Sequence, residues 1–425
     1  MDIKQIEEQV LRCNKCGFCQ ATCPTYKELR EESACARGRI HLIYDVATGK
    51  QEMTPLYKQT IERCTLCMAC RVACPSGVGP DAIILAARQN LIEKKGMALV
   101  KDLALHQFLP SNLKKGLAST GFRVGRALFP TVAKRLAPKG VDVRRFPVGG
   151  KALHSRLPDV QPVIHAQARV AFFIGCMIDY SLPDVGMSPM RVLKRARVGV
   201  AVPSGQTCCG APMHITGDAA AARRQAERNL RVFASQDVDH IITACATCSH
   251  HLKEYGDLMA GTPMEDLARR ISDKVMDATQ FLAQVVDPSE LGEITAKVTY
   301  HDPCHLVRGL GITEEPRKLL KAIPGVEFTE MVEADRCCGA AGLFQVFYAD
   351  VASGITERKM SNIANTGADL VVSACPACQQ RLQGGINLAG MSQKAVHVVE
   401  LLDRAYSVAR PRAEVEAGKG AAKEG

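Results

Sequence analysis

Nineteen cysteines in a chain of 425 residues that has no tryptophan constrain this fold more than any other feature. Nine lie between Cys13 and Cys74, ten between Cys176 and Cys378, and none between Cys74 and Cys176. The N-terminus, MDIKQIEEQVLRC, carries two glutamates and lacks the apolar stretch of a secretory leader. That predicts a reducing compartment, where thiols stay reduced and a disulfide framework is not expected. The cysteines are therefore read as metal ligands, and their spacing decides the metal.

The first block repeats itself. Cys13, Cys16, Cys19 and Cys23 precede Pro24, and Cys64, Cys67, Cys70 and Cys74 precede Pro75. Each run is C-x2-C-x2-C-x3-C-P, in which three thiolates wrap one corner of a cubane and the fourth reaches the other cluster. Cys13, Cys16, Cys19 and Cys74 are thus expected to hold one [4Fe–4S] cluster, and Cys64, Cys67, Cys70 and Cys23 a second. A zinc ribbon, the rival, is built from cysteine pairs and has no use for a third cysteine at the same spacing. The proline fixes φ and turns the chain away from the cluster. Helical patterns surround the runs at Ile3, Ile6 and Val10, at residues 39–47 and at residues 80–94. They predict a small α-helical domain of the bacterial-ferredoxin type, with two clusters, over residues 1–95.

The second block is also a duplication. Cys176, Cys208, Cys209, Cys245 and Cys248 form one set, and Cys304, Cys337, Cys338, Cys375 and Cys378 the other, offset by 128 to 130 residues. VAFFIGC, HIITAC, KVTYHDPC and LVVSAC read as strands ending in a cysteine, separated by helical stretches such as Ala219–Ala234 and Asp350–Asn365. This alternation predicts a duplicated α/β domain over residues 166–410. Five cysteines exceed the four of an ordinary cubane. Either one is spare, or a thiolate bridges two irons in an unusual cluster. The bland alternative, reduced core cysteines, leaves the matched spacing unexplained. Adjacent cysteines in a strand point to opposite faces, so facing one cluster needs a bend that Gly210 and Gly339 permit. Cys35 belongs to neither block's pattern and reads as a small buried hydrophobe.

The formal charge is +10. Residues 94–156 alone hold 14 Lys or Arg against two acids, so the basic character is local. Prolines cut this stretch into short helical pieces, giving a basic connector over residues 96–165. A solvated surface, a docking face for an acidic partner and contact with anionic lipid are the three readings. Nucleic acid is not expected, for want of a recognition motif. Residues 411–425 read as a disordered tail. No apolar run approaches the 18 or so residues of a membrane span.

CNKCGFCQATCPTY, ARGRIHLI and CTLCMACRVACPSGV resemble the iron–sulfur subunit of glycolate (or lactate) oxidase. GCMID, CCGAP, YHDPCHL, CCGAAG and CPAC resemble the CCG repeats of the same family. They also resemble the heterodisulfide reductase subunit that fuses a ferredoxin part to a CCG part. The similarity covers most of residues 10–405. The resemblance implies one or two further iron–sulfur clusters, cubane or non-cubane, with each five-cysteine set as ligands. Glycolate oxidase subunits often lose a cysteine of the last C-x2-C, whereas this chain keeps both, which leans to the reductase; ARGR leans to the oxidase. The implied work is electron transfer within an oxidoreductase complex, from an FAD-containing 2-hydroxy acid dehydrogenase subunit to a quinone or another, membrane-bound acceptor. The implied location is cytoplasmic, peripheral at the inner face of the membrane. The alternatives are a protein that reduces a disulfide at the CCG sites, and a cluster-bearing binding module without turnover.

Other residues carry weaker signals. His301 and His305 flank Cys304 and suit a proton relay, though core histidines bonded to backbone are commoner. His250 and His251 read as solvent-exposed. Arg37 and Arg39 suit either a place beside a cluster or a surface ion pair. No G-x-G-x-x-G or G-x4-G-K-[ST] occurs, GLGITE fails the first at its last position, and neither a Ser-His-Asp nor an H-E-x-x-H signature stands out. Clusters pass single electrons, so a flavin that splits the pair is expected on another subunit.

Overall fold

The structure is a computed structural model and describes residues 3–108, 152–157, 160–161 and 166–409. Most of the basic connector and the C-terminal tail lie outside the described residues.

The N-terminal part is helical, as its periodicity predicts. Helices Ile3–Arg12, Ala36–Ala47, Pro55–Glu62 and Pro80–Lys95 pack around Ile40, Ile43, Ile61, Ile83 and Ile84. Thr54 caps the third, its hydroxyl accepting from the Tyr57 N–H at 3.1 Å, with Pro55 in the first turn. Short helices Phe18–Thr22 and Ala69–Val72 lie inside the two cysteine runs and pack on each other.

Among the described residues the C-terminal part contains nine strands: β1 (Val160–Gln161), β2 (Ala168–Phe172), β3 (Val198–Ala201), β4 (His240–Thr243), β5 (Val275–Asp277), β6 (Ala296–His301), β7 (Val326–Phe328), β8 (Leu370–Ser373) and β9 (Lys394–His397). They form two sheets, ordered β1-β3-β2-β4-β5 and β7-β6-β8-β9. Apart from the antiparallel edge strand β1, all pairings are parallel. Without β1 the two orders are the same, second-first-third-fourth, so the duplication in spacing is one of topology. Helices cover the sheets, and Val170, Ala171, Phe172, Val371 and Val372 are buried in one core shared by both halves. In open parallel sheets, sites form beyond the carboxyl ends of the strands. Every cysteine of the second block lies beyond such an end.

The described ends of the connector pack on both parts. Lys101 pairs with Glu62 at 3.0 Å, His106 Nε2 lies 2.6 Å from Asp218, and Leu105 and Leu153 are buried in the shared core. Among the described residues no helix is long and apolar enough to cross a membrane.

Candidate metal centres

None of the 19 cysteines is in a disulfide. In the first block the two runs wind alike. Lys15 and Gly17 of the first, and Leu66 and Met68 of the second, occupy the same motif positions and all have positive φ. For Leu66 and Met68 this costs on the order of 1–3 kcal/mol each, tolerable only where the surroundings impose it. Burial, then the charges of Cys64, Cys67 and Cys23, push the Cys70 thiol well up. Cys13 and Cys74 both lie against the helical core, and Cys16 is exposed. Cys35 is fully buried, as read, but it has a neighbour that spacing did not reveal. Its thiol donates to the Glu32 carbonyl at 3.1 Å, and its nearness to Cys19 is the main cause that brings Cys19 down to about 6.

In the second block the structure brings all five cysteines of each set together. Neighbouring thiols shift one another's pKa along Cys176, Cys208, Cys209, Cys248, Cys245 in one half and Cys304, Cys337, Cys338, Cys378, Cys375 in the other. The Cys176 and Cys208 sulfurs are 3.9 Å apart. Cys245 also meets Cys375, and the Ala246 N–H donates to the Ala374 carbonyl at 3.3 Å, so the two sets adjoin. Gly210 (φ +95°) and Gly339 (φ +88°) supply the bend after each Cys-Cys pair. Side chains hold the bent pairs: Asn229 donates to the Cys208 carbonyl at 3.1 Å, Tyr255 to that of Cys209 at 2.7 Å, and Thr356 to that of Cys338 at 2.8 Å. Crowded, buried thiolates repel one another and are not stable without cationic charge among them. An iron–sulfur core, which thiolates ligate, fits this donor set.

The two blocks meet. Cys67 packs against Cys337, with Cys304 beside them. Arg308 donates to the Cys67 carbonyl at 3.3 Å and pairs with Asp335 at 2.6 Å. Buried Arg88 donates to the carbonyls of Cys64 (2.6 Å), Ile61, Glu62 and, across the junction, Ile215 (2.7 Å). A cavity of about 320 Å³ opens here, lined by Cys64, Arg88 and Tyr348 as well as cysteines of both sets.

Several side chains sit differently from their sequence reading. His251 is only 3% exposed and His250 is mostly buried, stacked on His305 with 5.2 Å between ring centroids. His301 is fully buried without a well-formed hydrogen bond, held at about 3 by burial, with a donor atom within 4.8 Å of the Cys338 and Cys378 sulfurs. It is the buried core histidine expected there, with the Ala334 backbone as its bonding neighbour. His305 Nδ1 meets the Thr247 hydroxyl at 3.0 Å. Arg37 makes the surface pair, 2.6 Å to Glu32, and also bears on Cys19. Arg39 is buried instead, donating to the Thr60 carbonyl at 3.0 Å. His251 lies three residues after Cys248, on the face of the helix Ala246–Lys253 that Cys248 buries.

Residues 170–253 and 298–383 each match the Cysteine-rich domain family, CCG, and residues 9–78 match the 4Fe-4S dicluster domain family. The chain is 32% identical to the "Probable glycolate oxidase iron-sulfur subunit" of Bacillus subtilis, over 93% of this chain and 94% of that one. It is 30% identical to a subunit of the CoM/CoB fumarate reductase of Methanothermobacter marburgensis, over 93% of this chain and 72% of that one. It is 31% identical to "Lactate utilization protein A" of Geobacillus thermodenitrificans, over 55% of this chain and 98% of that one. Among solved structures, a hypothetical protein from Helicobacter pylori shares the fold, with a TM-score of 0.52 and 9% identity over 87% of this chain and 68% of that one.

Proposed function

The chain belongs to the family of iron–sulfur subunits that join a 4Fe-4S dicluster domain to two CCG domains, and from that premise we propose that it passes electrons from a flavin-dependent 2-hydroxy acid dehydrogenase subunit to a quinone or another carrier. It is an iron–sulfur protein of the oxidoreductase type. In this reading residues 1–95, 96–165 and 166–410 are its ferredoxin-like part, connector and CCG part. Cys13, Cys16, Cys19 and Cys74 hold one cluster, and Cys64, Cys67, Cys70 and Cys23 the next. Each five-cysteine set of the CCG part holds another.

The observation that carries the reading is the packing of Cys67 on Cys337 and Cys304. Contact between a cysteine of the dicluster part and two of the CCG part supports a single conduit through the chain. Bound clusters supply one-electron chemistry; the protein supplies the insulation and the charge. Arg88 and Arg308 set buried positive charge and N–H donors against the backbone of Cys64 and Cys67, which favours the more reduced, more negative state. With no dinucleotide or flavin motif of its own, the chain leaves hydride removal to the partner.

The isolated protein is expected not to oxidise glycolate or lactate with any dye. Adding the flavoprotein partner and substrate should bleach the cluster absorbance. Hydroxy acid oxidation by the isolated protein would refute the reading. A second reading has one observation in its favour: the two five-cysteine sets open into one cavity, which their clusters would share. If disulfide reduction occurs there, the dithionite-reduced protein on its own will turn over a heterodisulfide.

A further inference from the structure

Three donors outside the cysteine sets converge beside the first of them. His214 lies in the helix Ala211–Thr216, just after the Cys208–Cys209 pair, and His251 lies in the helix Ala246–Lys253 that bears Cys248. Glu254 follows that helix. One donor atom from each of His214, His251 and Glu254 lies within 4.8 Å of the other two. The two imidazole centroids are 5.1 Å apart, and Glu254 Oε2 is 3.6 Å from His251 Nδ1. The other carboxylate oxygen lies 3.4 Å from His250 Nε2.

His251 is 3% exposed; its Nδ1 faces Glu254, and its Nε2 is buried with no hydrogen-bond partner. A cation shared with Glu254 would be met on the Nδ1 side of the ring. The protonation states suit one. Burial and the neighbouring charges of His251, His250 and Arg223 hold His214 down at about 4. Burial works to raise Glu254, but the bond from His251 and the surrounding histidines bring it to about 2. Near neutral pH this gives an uncharged imidazole and a carboxylate, the donor forms a divalent cation takes. Arg223 opposes a cation from one side, and Glu254 offsets it.

The second half lacks the trio. Its matching positions hold Leu343 or Phe344, Arg381 and Gly384. There Arg381 donates to the Thr356 hydroxyl at 2.7 Å, and Thr356 donates to the Cys338 carbonyl at 2.8 Å. A relay through Thr356 thus ties the C-x2-C helix to the Cys-Cys pair in that half. In the first half Tyr255, two residues past the C-x2-C helix, makes the tie to the Cys209 carbonyl at 2.7 Å, and the three metal donors stand beside it.

We propose that His214, His251 and Glu254 bind one divalent transition-metal cation, zinc by donor set, which clamps the helix after Cys208–Cys209 to the helix bearing Cys248. Two imidazoles and one carboxylate, with water in the fourth place, form a familiar zinc environment. Donors about 2.05 Å from a tetrahedral ion stand about 3.4 Å apart, so the site closes by roughly an ångström on binding. Glu254, with 41% of its side chain exposed, gives the ion a way in.

The test uses the full chain with its clusters assembled anaerobically, stripped of loose metal by a chelator and titrated with Zn²⁺ alone. One equivalent should bind without loss of iron. Its X-ray absorption edge should show nitrogen and oxygen neighbours at about 2.0–2.1 Å and no sulfur at about 2.3 Å. His251→Ala and Glu254→Gln should each lose that equivalent while keeping the iron content. A sulfur-only zinc shell, no retained zinc, or undiminished binding in both iron-replete variants would overturn the proposal. The wild-type spectrum decides the matter by itself if neither variant folds.

Discussion

Gly339 holds φ +88° directly after Cys338, and a Cβ there would lie 2.6 Å from the Ala352 carbonyl oxygen. Gly339→Ala is expected to cost about 1–2 kcal/mol from the left-handed backbone alone, with the clash added. The variant should melt earlier and lose the iron of the second half. At Gly210 the nearest atom is softer, 3.1 Å to the Ala222 carbonyl, so Gly210→Ala should cost less. Equal melting of Gly339→Ala and wild type would contradict this account of the bend. Cys35→Ser should leave the iron count unchanged, although Cys35 lies near Cys19; loss of a cluster would show that the ligand partition is wrong. The bend was legible because Cys-Cys-Gly occurs twice. The burial of His251 was not, because two adjacent histidines read as polar until the helix face through Cys248 is drawn. The nearness of Cys35 to Cys19 depends on how the chain folds back, which spacing does not carry.

At the scale of elements, Arg88 is the main tie within the helical part and across to the C-terminal part. Its guanidinium serves four carbonyls on three segments. Arg88→Met leaves them buried without donors, at roughly 1–3 kcal/mol for each that stays dry. It should lower the thermal midpoint markedly, and Arg88→Lys should rescue only in part, since one ammonium cannot reproduce the planar fork. A wild-type midpoint in Arg88→Met would contradict that role. The longer elements were readable. The Ala219–Ala234 helix falls where its periodicity put it, and the strands in HIITAC and LVVSAC stop at Thr243 and Ser373, two residues short of the cysteines, which cap the next helices. Strands such as β5, VMD, and β7, VEF, are three residues long and too short to show a period. They exist because the parallel sheet supplies their hydrogen bonds. The docking of Cys67 on Cys337 is likewise tertiary, and no spacing within either run announces it.

For the whole molecule, two cysteine-rich parts that look separate in sequence form one body joined at Cys67, Arg88 and Arg308. The basic connector adds a second property. If residues 94–156 meet an anionic surface, binding to anionic vesicles should fall steeply with salt, because exposed charges are screened within about 8 Å at physiological ionic strength. Changing Lys114, Lys115, Lys134 and Arg135 to glutamine should weaken binding and spare the clusters. Binding indifferent to salt would return the segment to a plain solvated surface.

The central claim is that the cysteines form four cluster sites in one chain. Iron content of anaerobically prepared protein tests it most directly. Four [4Fe–4S] sites predict about 16 iron atoms per chain. About 8 would confine the clusters to the N-terminal runs, and zinc on the thiolates in place of iron would contradict the account altogether.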